Sequence, residues 1–208
     1  MSAVDPRDQL QKALGGWRGA IESALPALAF LVAFQINGRD LRNALIASGI
    51  VAGVSALLRL VRRGSLQYVF SGVIGVAVSA YFVTRSGKAE DFFLPGLLIN
   101  VAWGSVYLVS ALVRYPVMAF LLGALEGEPL KWIRDAQRRR TATLVTWIWV
   151  GLFFGRLAIE LPMYFAGMIN ALGIAKLALG WPPYLLVIWL TYVLVRPYYV
   201  QPVTEDLV

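Results

Sequence analysis

The chain contains no cysteine and no histidine among its 208 residues, and only 15% of those residues are charged. Without cysteine there are no disulfides, no thiolate nucleophile and no thiolate metal ligand. Without histidine the chain lacks the commonest metal ligand, the usual haem ligand and the usual general base near neutral pH. No metal or cofactor is expected. A soluble domain carries about a quarter charged residues, and here the few charges bunch between apolar runs instead of spreading along helix faces. There is no Walker-type glycine-rich loop, no paired-aspartate motif and no serine or lysine dyad at identifiable spacing, so no catalytic constellation points to an enzyme.

What is present is apolar. Hydrophobic residues make up 59% of the chain, and the mean hydropathy is +0.67. The formal charge of +7 does not indicate nucleic acid, because the basic residues flank apolar runs, where they set topology and meet anionic headgroups. The expected fold is an all-α polytopic membrane helix bundle, one domain over 1–208. Apolar runs of about the length that crosses a bilayer predict six transmembrane helices near 20–36, 41–61, 66–84, 92–113, 141–166 and 182–200. The sixth rests on "LGIAKLALGWPPYLL", which reads either as one interrupted helix or as a hairpin over 168–181 followed by a helix opening at Pro182 and Pro183.

Before the first span, "MSAVDPRDQLQKALGGW" reads as an amphipathic N-terminal helix. Asp5 suits the cap, Pro6 the first turn, and Leu10, Leu14, Trp17 and Ile21 recur at helical spacing. A plain lead-in to the first span is the alternative. With both termini inside, the inner side holds Arg7, Lys12, Arg18, Arg59, Arg62, Arg63, Arg114, Lys131, Arg134, Arg138, Arg139, Arg140 and Arg196. The outer side holds only Arg39, Arg42, Arg85, Lys88 and Lys176. That bias predicts cytoplasmic termini. "SALLR", "SALVR" and "VLVRP" close the second, fourth and sixth spans. They suggest three helical-hairpin repeats, as transporter folds often contain, or a coincidence of leucine-rich helices ending in a topogenic arginine. Gly49 with Gly53, and Gly72 and Gly75 with Ser79, offer small faces for close helix contact.

The segment 115–140 begins with about ten apolar residues, too few to cross, and is either re-entrant or interfacial. Its second half, "LKWIRDAQRRR", places Lys131, Arg134, Arg138, Arg139 and Arg140 beside Trp132. That pattern suits anionic lipid on the cytoplasmic face, or serves as a topological anchor alone.

The candidate site lies in "GLFFGRLAIELPMYFAG", where Arg156 and Glu160 share one face of a helix at i and i+4. Counted from Thr141, Arg156 lies about 22 Å along the span, which places the pair in its outer half. Intramembrane ionisable residues are functional candidates by default. Asn100, Ser105, Tyr164 and Lys176 are the polar residues expected to line a cavity with them. A small anionic or polar solute is the expected ligand, in a transport-like or solute-binding bundle. A structural protein of the cell envelope, in which the pair only joins helices, is the alternative. Glu90 and Asp91 suit the dipole at a helix start. Oligomeric state is not legible.

The order of "RRGSLQYVFSGVIGVAVSA", "DFFLPGLLIN", "SALVRYP", Trp132 before the arginine run, "GRLAIELPMYFAG" and "ALGWPPY" resembles a family of bacterial integral-membrane proteins, domain-of-unknown-function 3159. The resemblance runs from about Leu28 to Tyr199 and implies a multi-pass protein of the bacterial cytoplasmic membrane. It carries no activity, cofactor or catalytic residue.

Overall fold

The computed structural model describes residues 16–61 and 66–199. The expected amphipathic segment before Gly16 and the chain beyond Tyr199 lie outside the described residues. All regular structure among the described residues is helical: α1 (Gly16–Ile36), α2 (Leu41–Val61), α3 (Leu66–Ser86), α4 (Leu94–Leu112), α5 (Val117–Leu125), α6 (Lys131–Arg134), α7 (Ala136–Phe165), α8 (Ile169–Ala178) and α9 (Trp181–Val195). Short 3-10 turns at Ala89–Phe93 and Arg196–Tyr198 precede α4 and follow α9.

Among the described residues, four helical stretches are long and apolar enough to cross a bilayer: Leu41–Leu58, Ala89–Leu112, Ala136–Phe165 and Ile169–Tyr198. Two shorter apolar stretches, Ala24–Ile36 and Val73–Ser86, accompany them. These helices turn the usual pattern of a soluble protein inside out. On α2 the buried positions are Ala44, Ser48 and Ala52, whereas Ile46, Ile50, Val54, Leu57 and Val61 are exposed. On α4 Trp103, Val106 and Val109 are exposed while Asn100 and Gly104 are buried. Apolar side chains on this scale face water only at a high free-energy cost, so the fitting solvent is lipid.

The termini of the helices follow from local chemistry. Asp40 caps α2, accepting from the Arg42 N–H at 2.9 Å. Asp135 caps α7, accepting from the N–H groups of Gln137 and Arg138 at 2.8 and 3.1 Å. At the far end of α7, Met168 N–H reaches Met163 O and Gly167 N–H reaches Tyr164 O. This double closure needs Gly167 at φ 64°. Pro162 lies inside α7 without ending it.

Two sequence expectations change in the structure, the start of the expected fifth span and the small-residue contacts, and the open alternatives over 168–181 narrow. The fifth span begins at Ala136, five residues before the expected start, because Asp135 supplies the cap. The segment 168–181 contains a helix of its own, α8. It ends before Gly180, and Pro182 and Pro183 occupy the first turn of α9. Gly49, Gly53 and Gly75 make no close helix contacts: a Cβ at each would meet open space. Close approach occurs instead at Gly104, where a Cβ would lie 3.1 Å from Phe153 Cβ, and at Gly123, where it would lie 2.6 Å from Glu128 O.

The chain divides into two compact units. Unit 1 is Met1–Gly96 with Pro162–Leu177, and unit 2 is Leu97–Leu161 with Ala178–Val208. The boundaries fall inside helices, in the first turn of α4, the last turns of α7 and the end of α8. In unit 1, Phe30, Phe34, Ala44, Val83, Phe92, Phe93 and Leu172 form the core. Phe30 stacks on Phe92 with ring centroids 4.0 Å apart. In unit 2, Tyr107, Met118, Leu122, Trp132, Val145, Phe153 and Val195 form the core.

Candidate functional site

In unit 2 the helical periodicity of α7 brings Arg156 and Glu160 onto one face, with Arg156 Nε 3.7 Å from Glu160 Oε1. Arg156 keeps 11% of its side-chain exposure and Glu160 none. The guanidinium carbon lies 5.1 Å from the centroid of the Tyr184 ring on α9, a cation–π contact. The contact with Glu160 is an ion pair without a hydrogen bond at Nε, and buried Arg156 Nε has no hydrogen-bond partner. A bidentate arginine–carboxylate pair would be closer and would use two donors. Arg156 is therefore a buried cation with donor capacity left over.

Asn100 is buried on α4 in the same unit, whereas Ser105 is exposed. Lys176 belongs to unit 1, on α8, where its ammonium lies against Gly96: a Cβ there would be 3.1 Å from Lys176 Nζ. Tyr164 also belongs to unit 1 and donates its hydroxyl to Asp91 Oδ1. Asp91 is only 5% exposed, so it does more than sit near a helix dipole. An aspartate directly before two phenylalanines in "EDFF" was the available signal that it needs a buried donor.

The basic segment resolves into two groups. Trp132 is fully buried and donates from Nε1 to Glu126 Oε1 at 2.7 Å. It is a core residue of unit 2, so it cannot anchor in headgroups as its neighbours suggested. Lys131 and Arg138 both pair with Glu126 Oε2, at 2.7 and 3.3 Å. Arg138 also lies over the rings of Trp132 and Tyr198, at 5.4 and 5.7 Å. Burial opposes ionisation of Glu126, but hydrogen bonds from Lys131 and Trp132, the neighbouring Tyr199 and the charge of Lys131 outweigh it and hold its carboxyl down to about 2. Arg134, Arg139 and Arg140 remain exposed.

No group of three or more acidic residues that could hold a metal ion occurs among the described residues. The family described as "Protein of unknown function (DUF3159)" matches residues 14–201. No curated protein and no solved structure matches the chain.

Proposed function

The chain belongs to the DUF3159 family, and we propose that it is a multi-pass membrane protein that binds a small anionic solute at Arg156, in a transport-like cycle with Glu160 as counter-charge. The supporting observation is the half-made ion pair: a buried guanidinium, 3.7 Å from its carboxylate, with Nε lacking a hydrogen-bond partner. Leaving a buried charged donor unsatisfied is costly, and an incoming carboxylate or phosphate would satisfy it. Guanidinium suits that task because it presents a planar fork of donors and keeps its proton.

The same reading places the protein in the bacterial cytoplasmic membrane with six spans and both termini cytoplasmic. Arg134, Arg139 and Arg140 then face anionic lipid. Protein reconstituted in liposomes should take up a small carboxylate or phosphate, and Arg156→Met should lose both anion binding and uptake. If a broad panel of anions produces neither binding nor flux, the pair is a structural clamp. The complete burial of Glu160 and the Tyr184 ring over Arg156 favour that second reading.

A further inference from the structure

Three connections of unit 1 and the helix ends beside them line an open cavity of about 600 Å³. The end of α1 contributes Gln35 and the turn after it Arg39, the connection after α3 contributes Lys88 and Glu90, and Met168 before α8 and Asn170 in its first turn complete the lining. Buried Phe34 and half-buried Ile169 supply an apolar wall. This size suits a small organic ligand.

The charges around the cavity are not used up by one another. Among the described residues, none of the ion pairs involves Arg39, Lys88 or Glu90. The surrounding frame is nevertheless tied down. The Gln35 side-chain amide donates to Asn170 Oδ1, Lys88 N–H donates to Ser86 Oγ, and the Arg39 N–H reaches back to Phe34 O. Arg39 holds φ 66°, a left-handed conformation that costs a long L side chain free energy and that glycine or asparagine would adopt more readily. Topogenic charges have no need to share a cavity, and Arg39, Lys88 and Glu90 all line this one.

We propose that this cavity binds a small zwitterion, a molecule carrying a carboxylate or phosphate close to an ammonium group. Arg39 and Lys88 take the anionic group, Glu90 takes the ammonium, and Phe34 with Ile169 receives attached hydrocarbon. A simple anion would meet repulsion from Glu90, and a simple cation would meet two like charges. Only a ligand carrying both signs complements all three side chains. Amino acids offer this chemistry in free form, and a phosphoethanolamine headgroup offers it on a lipid.

The test uses the full chain in a non-ionic detergent, with ligand-induced shifts in melting temperature and titration calorimetry. The probes are leucine, phosphoethanolamine, dioctanoyl-phosphatidylethanolamine, dioctanoyl-phosphatidylglycerol, acetate and ethanolamine. Saturable stabilisation by leucine or phosphoethanolamine supports a free zwitterion. A response to dioctanoyl-phosphatidylethanolamine without one to the soluble probes supports a lipid headgroup. In either case Arg39→Asn, which tolerates the left-handed backbone, and Glu90→Gln should each weaken binding about tenfold through loss of one charge-assisted contact. Lys88→Gln, on an exposed turn, should act in the same direction if either of the other variants fails to fold. No response to any zwitterion, an equal response to phosphatidylglycerol, or binding unchanged in the folded variants overturns the proposal.

Discussion

A charge buried in a helix is decided by what lies within a few ångströms of it, and Arg156 and Glu160 lie 3.7 Å apart on one helix. Removing one partner takes an opposite charge away from the other in a poorly solvated site. Arg156→Met and Glu160→Gln should therefore each destabilise the protein, with a coupling of about 1–3 kcal/mol between them. Thermal unfolding of the two single variants and the double variant measures that coupling, and strictly additive losses would mean the heads do not interact. Glu126 makes a different prediction. Its carboxyl is held at about 2 against an ordinary 4.5, so its stabilisation is fully present above pH 4.5 and disappears as the pH falls toward 2. Comparing melting temperatures of the wild type and Glu126→Gln down that range should show the gap closing on acidification. The Arg156–Glu160 pair was legible in the sequence because i and i+4 always meet on a helix. The Glu126 cluster was not, because Trp132 and Arg138 reach Glu126 only after the chain turns twice, at the end of α5 and again before α7.

Glycine is the most informative residue at the scale of an element. Gly123 ends on α5 under the returning backbone, where a Cβ would lie 2.6 Å from Glu128 O and 2.7 Å from Pro129 O. Gly123→Ala should cost about 1–3 kcal/mol, because backbone atoms cannot yield as a flexible side chain can. Gly49→Ala and Gly53→Ala meet open space and should be neutral or stabilise α2 by about 0.5–1 kcal/mol through helix propensity. Differential scanning fluorimetry of the three variants checks the contrast. A large loss at Gly49 or Gly53 would mean that another chain packs there. Spacing alone pointed to Gly49 and Gly53 as packing sites, since a four-residue repeat of small residues says which face they share and nothing about what approaches it. Of the helix starts, the proline pair at Pro182–Pro183 was legible, whereas the start of α7 lies five residues before the apolar run because Asp135 caps it ahead of a polar first turn.

For the whole molecule the governing quantity is the distribution of arginine and lysine about the apolar runs. The thirteen-to-five bias predicts that reporter fusions at Arg39, Ser86 and Leu172 lie outside, and those at Gly64 and Gln137 inside. A reporter at Gln137 found outside would reverse the topology. Neither the division of the chain into two units nor their composition follows from that bias. Unit 1 recruits α8 from late in the sequence: Leu172 enters its core, and Gly173 is so close to Leu31 that a Cβ there would clash with it. Contacts of that kind depend on shape complementarity between distant segments, and hydropathy carries no record of shape.

The sequence by itself determined the class of the protein, an all-helical chain whose apolar segments belong in lipid. Hydropathy and helical period are properties of neighbouring residues. It also determined that Arg156 and Glu160 would face one another, for the same reason. Only the tertiary structure decided which polar residues lie together. It set Tyr184 over Arg156, gave Asp91 to Tyr164, buried Trp132 under Glu126, and brought Arg39, Lys88 and Glu90 to the lining of one cavity. Each of these joins residues far apart in the chain through packing, and packing depends on the three-dimensional fit of whole helices and turns.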